Sequence, residues 1–145
     1  MNPQIDEIIV DGQRLRVLVL QTYSRVFDAR TYGDKFIKER PVWANLTYSE
    51  KNIIWRNDVT QEIGFVGIDF SYIFKLVNIV RIEISNILPA KGPDGMEFNV
   101  ILNPKKFKFE SRLVFLDSYN SFDSELAMIE KFTGLNIECF EVYDC

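Results

Sequence analysis

A two-residue alternation of apolar and polar side chains recurs three times between Ile79 and Leu116, and it leaves few folds open. Val80, Ile82 and Ile84 alternate with Arg81, Glu83 and Ser85, which reads as a strand with one buried face. LPAKGPDG follows, with two prolines, two glycines and the type I or II turn chemistry of Pro93-Asp-Gly95. Met96, Phe98, Val100 and Leu102 alternate again, and Asn103-Pro-Lys-Lys106 turns the chain once more. In the third run Phe107, Phe109, Ser111, Leu113 and Phe115 share a face, while Lys106, Lys108, Glu110 and Arg112 start the solvent face. Three short strands joined by turns can pair only antiparallel, so 79–116 is expected to form a meander.

The flanking segments fill in the rest. Leu15, Val17 and Val19 alternate with Arg16, Leu18 and Leu20, the pattern of a strand buried on one face and partly covered on the other. Gln21 to Ser24 is expected to turn, Arg25 to Phe27 to return antiparallel, and DARTYGDKFIKERP to form a loop or frayed helical turn. Val42, Ala44, Leu46 and Tyr48 then predict a core-facing strand, Ser49 to Asn52 a turn, and Ile53 to Trp55 its hairpin partner. In IGFVGIDFSYIFKLVN two readings compete. Asp69 can cap a helix with Phe70, Ile73, Phe74 and Val77 at i, i+3, i+4 and i+7, or the aromatic run can be a strand; the helix is preferred.

Near the end, LVFLDSYNSFDSEL leads from strand to helix. Ser121 or Asp123 serves as N-cap, and a helix over 123–132 carries Leu126, Ile129 and Phe132 on its buried face. Gly134 stands where a terminator belongs, and Ile137, Cys139, Phe140 and Val142 suggest a last strand or docked tail. The fold class expected is α+β and mostly antiparallel β. It is a sheet or partly closed barrel with one C-terminal amphipathic helix, in a single domain over 1–145.

Chemistry is narrowed mainly by what is missing. There is no histidine, which removes His-dependent triads, paired-His phosphoesterases and nearly all zinc sites. The two cysteines, Cys139 and Cys145, lack metal-ligand company and CxxC spacing, and in a cytosol they would stay reduced. With 21 acids against 17 bases, a net charge of −4 argues against phosphate-driven nucleic-acid binding and against an anionic membrane surface. No apolar run reaches the roughly 18 residues of a membrane span, and acids precede the first apolar run, the wrong order for a secretory signal; a cytoplasmic protein is expected. Carboxylates are what remains for catalysis. Asp28, Asp34, Glu62, Asp69, Asp94, Glu97 and Glu110 are scattered, and Asp94 with Glu110-Ser-Arg112 only loosely resembles a magnesium nuclease, with arginine where lysine is needed. Lys91-Gly-Pro-Asp-Gly95 lacks phosphate-loop spacing, and the Asp117–Asp123 patch reads as a capping joint rather than an anion site. No metal, no cofactor and no catalysis are therefore expected.

Aromatic residues make up 14% of the chain, more than a core of this size needs. Trp43, Tyr48, Trp55, Tyr72 and Tyr119 could stack bases, but few lysines or arginines accompany them. On a paired hairpin Trp43 and Trp55 would lie near each other, on the face opposite Val42, Ala44 and Leu46. With Tyr48, and with Glu50, Asp58 and Glu62 as an acidic rim, they form the candidate contact surface for a partner, which is another protein and a basic one. The expected function is a non-catalytic binding module or stoichiometric inhibitor. The alternatives are a small-ligand or lipid-binding barrel and, behind it, the carboxylate nuclease.

Two resemblances accompany these readings. From TQEIGF through the meander to ELAMIEKFTGL, the chain resembles the end of bacterial pleckstrin-homology-like domains, where a strand of the type RLVFLDS runs into one helix that plugs an open barrel. No cationic cluster flanks the early hairpins, so the resemblance implies protein recognition rather than phosphoinositide binding. LRVLVLQTYSRVFDAR to NIIWRNDV is similar to a small bacterial family found in toxin–antitoxin operons, matching at Phe27-Asp28 and Ile53-Ile-Trp55 with a shorter spacing between them.

Overall fold

The computed structural model describes residues 4–20, 28–30, 36–37, 40–67, 71–88, 95–102, 109–114 and 123–143. Eleven strands, two helices and a 3₁₀ turn lie within them. The first hairpin pairs β1 (Gln4–Val10) with β2 (Gln13–Val19), Val10 opposite Gln13. Asp11 and Gly12 join the strands at φ 50° and 77°. Two positive φ values make a type I′ turn, whose twist suits paired strands and which Asp-Gly adopts readily.

The chain next contributes β3 (Asp28–Arg30) and β4 (Phe36–Ile37), two very short strands in the stretch expected to be a loop. Each lies at a sheet edge, β4 antiparallel to β7 (Ser71–Lys75) and β3 antiparallel to β10 (Phe109–Val114). Unpaired edge groups gain partners even from such short segments, and no periodicity marks them in the sequence.

Two expectations are overturned in the middle of the chain. Residues 42–48 do not form a strand: α1 (Val42–Thr47) is a helix, followed by β5 (Ile53–Asn57) and β6 (Glu62–Val66). Pro41, at φ −56°, presets the helical start, and its carbonyl accepts from Ala44 and Asn45. Ala44 and Tyr48, four apart, point inward, whereas Val42 and Leu46 of the expected core row are exposed. The preferred helix after Asp69 is also replaced. β7 (Ser71–Lys75) pairs with β6, setting Tyr72 opposite Phe65 and Phe74 opposite Ile63, and a 3₁₀ turn (Leu76–Asn78) follows. Tyr72 and Phe74 stack at 6.1 Å and 7°, as same-face neighbours two residues apart do on a strand. Packing against β6 outweighed the helical spacing.

The meander stands as expected: β8 (Ile79–Leu88), β9 (Gly95–Leu102) and β10 pair antiparallel in sequence order. The helix α2 (Asp123–Thr133) follows, with Ile129 and Phe132 buried and Leu126 partly buried against the same core. Gly134 ends it at φ 70°, its N–H donating to Glu130 O. β11 (Ile137–Tyr143) then lies parallel to β8, with α2 as the crossover that parallel pairing requires.

The first sheet runs β1-β2-β5-β6-β7-β4 and the second β11-β8-β9-β10-β3. Among the described residues both ladders stay open, and no closed barrel is formed. The architecture is α+β and mostly antiparallel. One core cluster joins a face of the first sheet (Leu18, Ile54, Phe65, Tyr72) to Ile82 and Val100 of the second and to α2. The opposite face of the first sheet (Leu15, Val17, Ile53, Trp55) packs under α1. The expected turns and returning strand at 21–27, the turns at 89–94 and 103–106, and the joint at 117–122 lie outside the described residues, as do Asp69, Phe70, Tyr119 and Cys145.

Candidate functional site

The α1 face of the first sheet gathers most of the unusual chemistry. Arg40 sets it up. Its guanidinium is buried, and Nη1 donates to Lys51 O at 2.7 Å and Gly67 O at 2.9 Å. Nη2 donates to Tyr48 O at 2.6 Å and Ala44 O at 3.4 Å. One cation thus binds the carbonyls at the end of α1, the following turn and the end of β6, and burial lowers its pKa below the usual guanidinium range. A cation at a helix C-terminus is favourable, and a planar fork can reach several carbonyls at once.

With α1 fixed, its rings meet the sheet. Trp43 lies edge-on to Trp55 at 6.5 Å and 76°, and to Tyr48 at 6.3 Å and 87°. These are favourable edge-to-face separations. Tyr48 O–H donates to Asp6 Oδ2 on β1 at 2.8 Å. Burial, that hydrogen bond and the Asp6 charge, in this order, push the phenol far above its ordinary value of 10.0. Trp55 sits opposite Gly64 on β6, and its indole occupies the space a side chain there would take: a Cβ would run into Nε1, Cε2 and Cζ2. Trp55 Nε1 is buried with no acceptor among the described residues.

Beside the two tryptophans opens a cavity of about 250 Å³. Val10 and Leu15 give it apolar wall, and Asp11, Gln13, Asn57 and Glu62 give it polar wall. Asn57 holds the polar side in shape. Its Nδ2 donates to Gln13 Oε1 at 2.9 Å, and its Oδ1 accepts from Val59 N and Thr60 N in the β5–β6 turn. Among the described residues no group of three Cys, Asp or Glu side chains converges as metal ligands would.

Of the residues singled out from sequence, Trp43, Tyr48 and Trp55 come together, and Glu62 joins the tryptophans at the cavity. The tryptophans meet through helix packing rather than a hairpin register, and Trp55 is 7% exposed, a core ring as much as a wall. Asp58 is engaged elsewhere, 2.8 Å from Arg56 Nε and 3.6 Å from Arg16 Nη1. Arg56 Nη1 in turn donates to Phe132 O and Thr133 O, and Arg16 stacks on the Phe132 ring, so this trio docks the end of α2. Glu50 is exposed on the turn after α1, at φ 59°.

Sequence reasoning missed Asp11, Gln13, Asn57 and Arg40. Asp11-Gly12 between apolar alternations was a readable hairpin signal. Arg40 carried none, because an arginine in a charged stretch reads as solvated.

The family described as the PM0294 C-terminal domain matches residues 16–144. That stretch takes in α1, Trp55 and Glu62 and begins after Asp11 and Gln13. No curated protein and no solved structure matches the chain.

Proposed function

This chain belongs to the PM0294 C-terminal domain family, and on that footing we propose that it acts without catalysis, as a protein-binding module or stoichiometric inhibitor. The outer face of α1 carries this reading. Val42 and Leu46, one turn apart, are 74% and 81% exposed, and half-buried Trp43 lies next to Val42 in the chain. Folding gains nothing from two apolar side chains held in water, whereas a partner would gain from covering them. Glu50 on the turn after α1 and Glu62 at the cavity beside Trp43 are acidic, and with a net charge of −4 they suit a basic partner.

Supporting the likeness to pleckstrin-homology-like domains is the meander that leads into α2, with Ile129 and Phe132 laid on the core. The likeness of the N-terminal half to proteins of toxin–antitoxin operons would suit an inhibitor. No helix among the described residues is long and apolar enough to cross a membrane, and a cytoplasmic site of action is part of the proposal. The small-ligand alternative has one observation in its favour, the cavity beside Trp43. It lies on the outer side of the first sheet, away from α2 and the core between the sheets.

Quantitative affinity capture tests the module reading. Leu46→Asp should cut recovery of a specific partner by about ten-fold or more, the effect of one lost interface anchor, with the melting temperature unchanged. Val77→Asp, equally exposed on the 3₁₀ turn, is the control. Equal recovery by both variants would remove the α1 face from the interface.

A further inference from the structure

We infer that the cavity beside Trp43 and Trp55 receives a single organic cation, the guanidinium or ammonium head of an arginine or lysine on a basic segment of the partner. The inference rests on the binding-module reading and names what that module grips.

Size comes first. About 250 Å³ is below the roughly 300–1,000 Å³ of pockets for drug-sized ligands and far above the ~30 Å³ of one water. It suits one long side chain entering from solvent.

Charge comes second. Asp11 in the β1–β2 turn and Glu62 at the start of β6 line the cavity, and neither has an ion-pair partner among the described residues. Lys75, Arg16 and Arg56 of the same sheet do not line the cavity. Lys75 stands opposite Glu62 in the ladder, exposed and outside the cavity wall. Arg16 and Arg56 are turned to Asp58 and the end of α2. An anion would face two carboxylates, and an apolar group would strip water from them with nothing in return.

The rings come third. Two indoles at 76° to each other form one side of the cavity, and indole faces attract cations. A guanidinium or ammonium head can meet a ring and a carboxylate together, while its methylene stem lies on Val10 and Leu15. Trp43 belongs to α1, whose exposed Val42 and Leu46 form the proposed contact face, so the cavity and that face share an element.

The test is a titration followed through the indole N–H resonances of the full chain. The probes are capped Gly-Gly-Xaa-Gly-Gly peptides with arginine, lysine or norleucine at the centre, together with acetyl-arginine-methylamide. The arginine and lysine peptides should bind at least about ten-fold more tightly than the norleucine peptide. Glu62→Gln should lose about ten-fold of that affinity at an unchanged melting temperature. Asp11→Asn, which tolerates the positive φ of its turn, is the second variant should the first misfold. Equal binding of the norleucine peptide, or full affinity in both variants, overturns the inference. Binding of acetyl-arginine-methylamide as tight as that of the arginine peptide, with native capture intact in Glu62→Gln, also overturns it, since the cation would then be a free small molecule. Failure of the module reading looks different: the unmodified chain would capture no specific partner while Glu62→Gln still lost the peptide.

Discussion

At the scale of single residues, two phenols buried among the described residues tie stability to alkaline pH. Tyr72 is 1% exposed, and desolvation pushes its pKa up to about 12, while Tyr48 is raised by burial and by Asp6. Unfolded phenols ionise near 10, so the native state holds protons that the unfolded chain releases above that pH. The stability this represents is fully present below pH 10 and is lost as the pH rises toward 12. Each phenol contributes a slope of at most about 1.4 kcal/mol per pH unit in that window. Denaturant melts at pH 9 and pH 11 should differ accordingly, and Tyr72→Phe should flatten the difference. An unchanged slope in that variant would show that this phenol does not carry it.

At the scale of elements, α1 is the least autonomous piece of the fold. Six residues are too few for a stable isolated helix, and no side chain caps its N-terminus. The packing of Ala44 and Tyr48 and the four carbonyls held by Arg40 keep it in place. Arg40→Met removes a charged donor from four carbonyls, of which Ala44 O and Tyr48 O keep backbone donors. It should cost about 3 kcal/mol or more, since hydrogen bonds to a charged group contribute roughly 1.5–3 kcal/mol each. Arg40→Lys keeps the charge but cannot spread over four acceptors, so it should recover only part of the loss. Chemical denaturation measures both. A cost below about 1 kcal/mol for the methionine variant would mean that α1 is held by packing alone.

At the scale of the whole molecule, α2 joins the two sheets. Phe132 and Ile129 share a core cluster with Leu18 and Ile54 of one sheet and Ile82 and Val100 of the other. Arg56 and Arg16 add polar and ring contacts at the C-terminal end of α2. Phe132→Ala should therefore cost about 3–5 kcal/mol. Far-ultraviolet and tryptophan signals should still melt together, because both sheets lean on the same helix. Two separated transitions would show that the sheets unfold independently.

Local pattern was enough for β2, the β8–β10 meander and α2. In each, a long alternation or a capped helical stripe agreed with the packing it met. By contrast, β5 was expected as a strand but against 42–48, and it pairs instead with β2 and β6. Trp43, Trp55 and Glu62 were also legible as candidates by residue type, and Asp11-Gly12 could have been read as the first hairpin. Only the tertiary structure decided the rest. In 42–48 the apolar residues fit a period of two and a period of four equally well, and Pro41 and Arg40 chose the helix by fixing its two ends. In 71–75 a register with β6 defeated a helical stripe. The cavity is assembled from the first hairpin, α1, β5 and β6, and its walls lie up to 52 residues apart, from Val10 to Glu62. Such a site depends on which faces meet, a quantity that no single stretch of sequence contains.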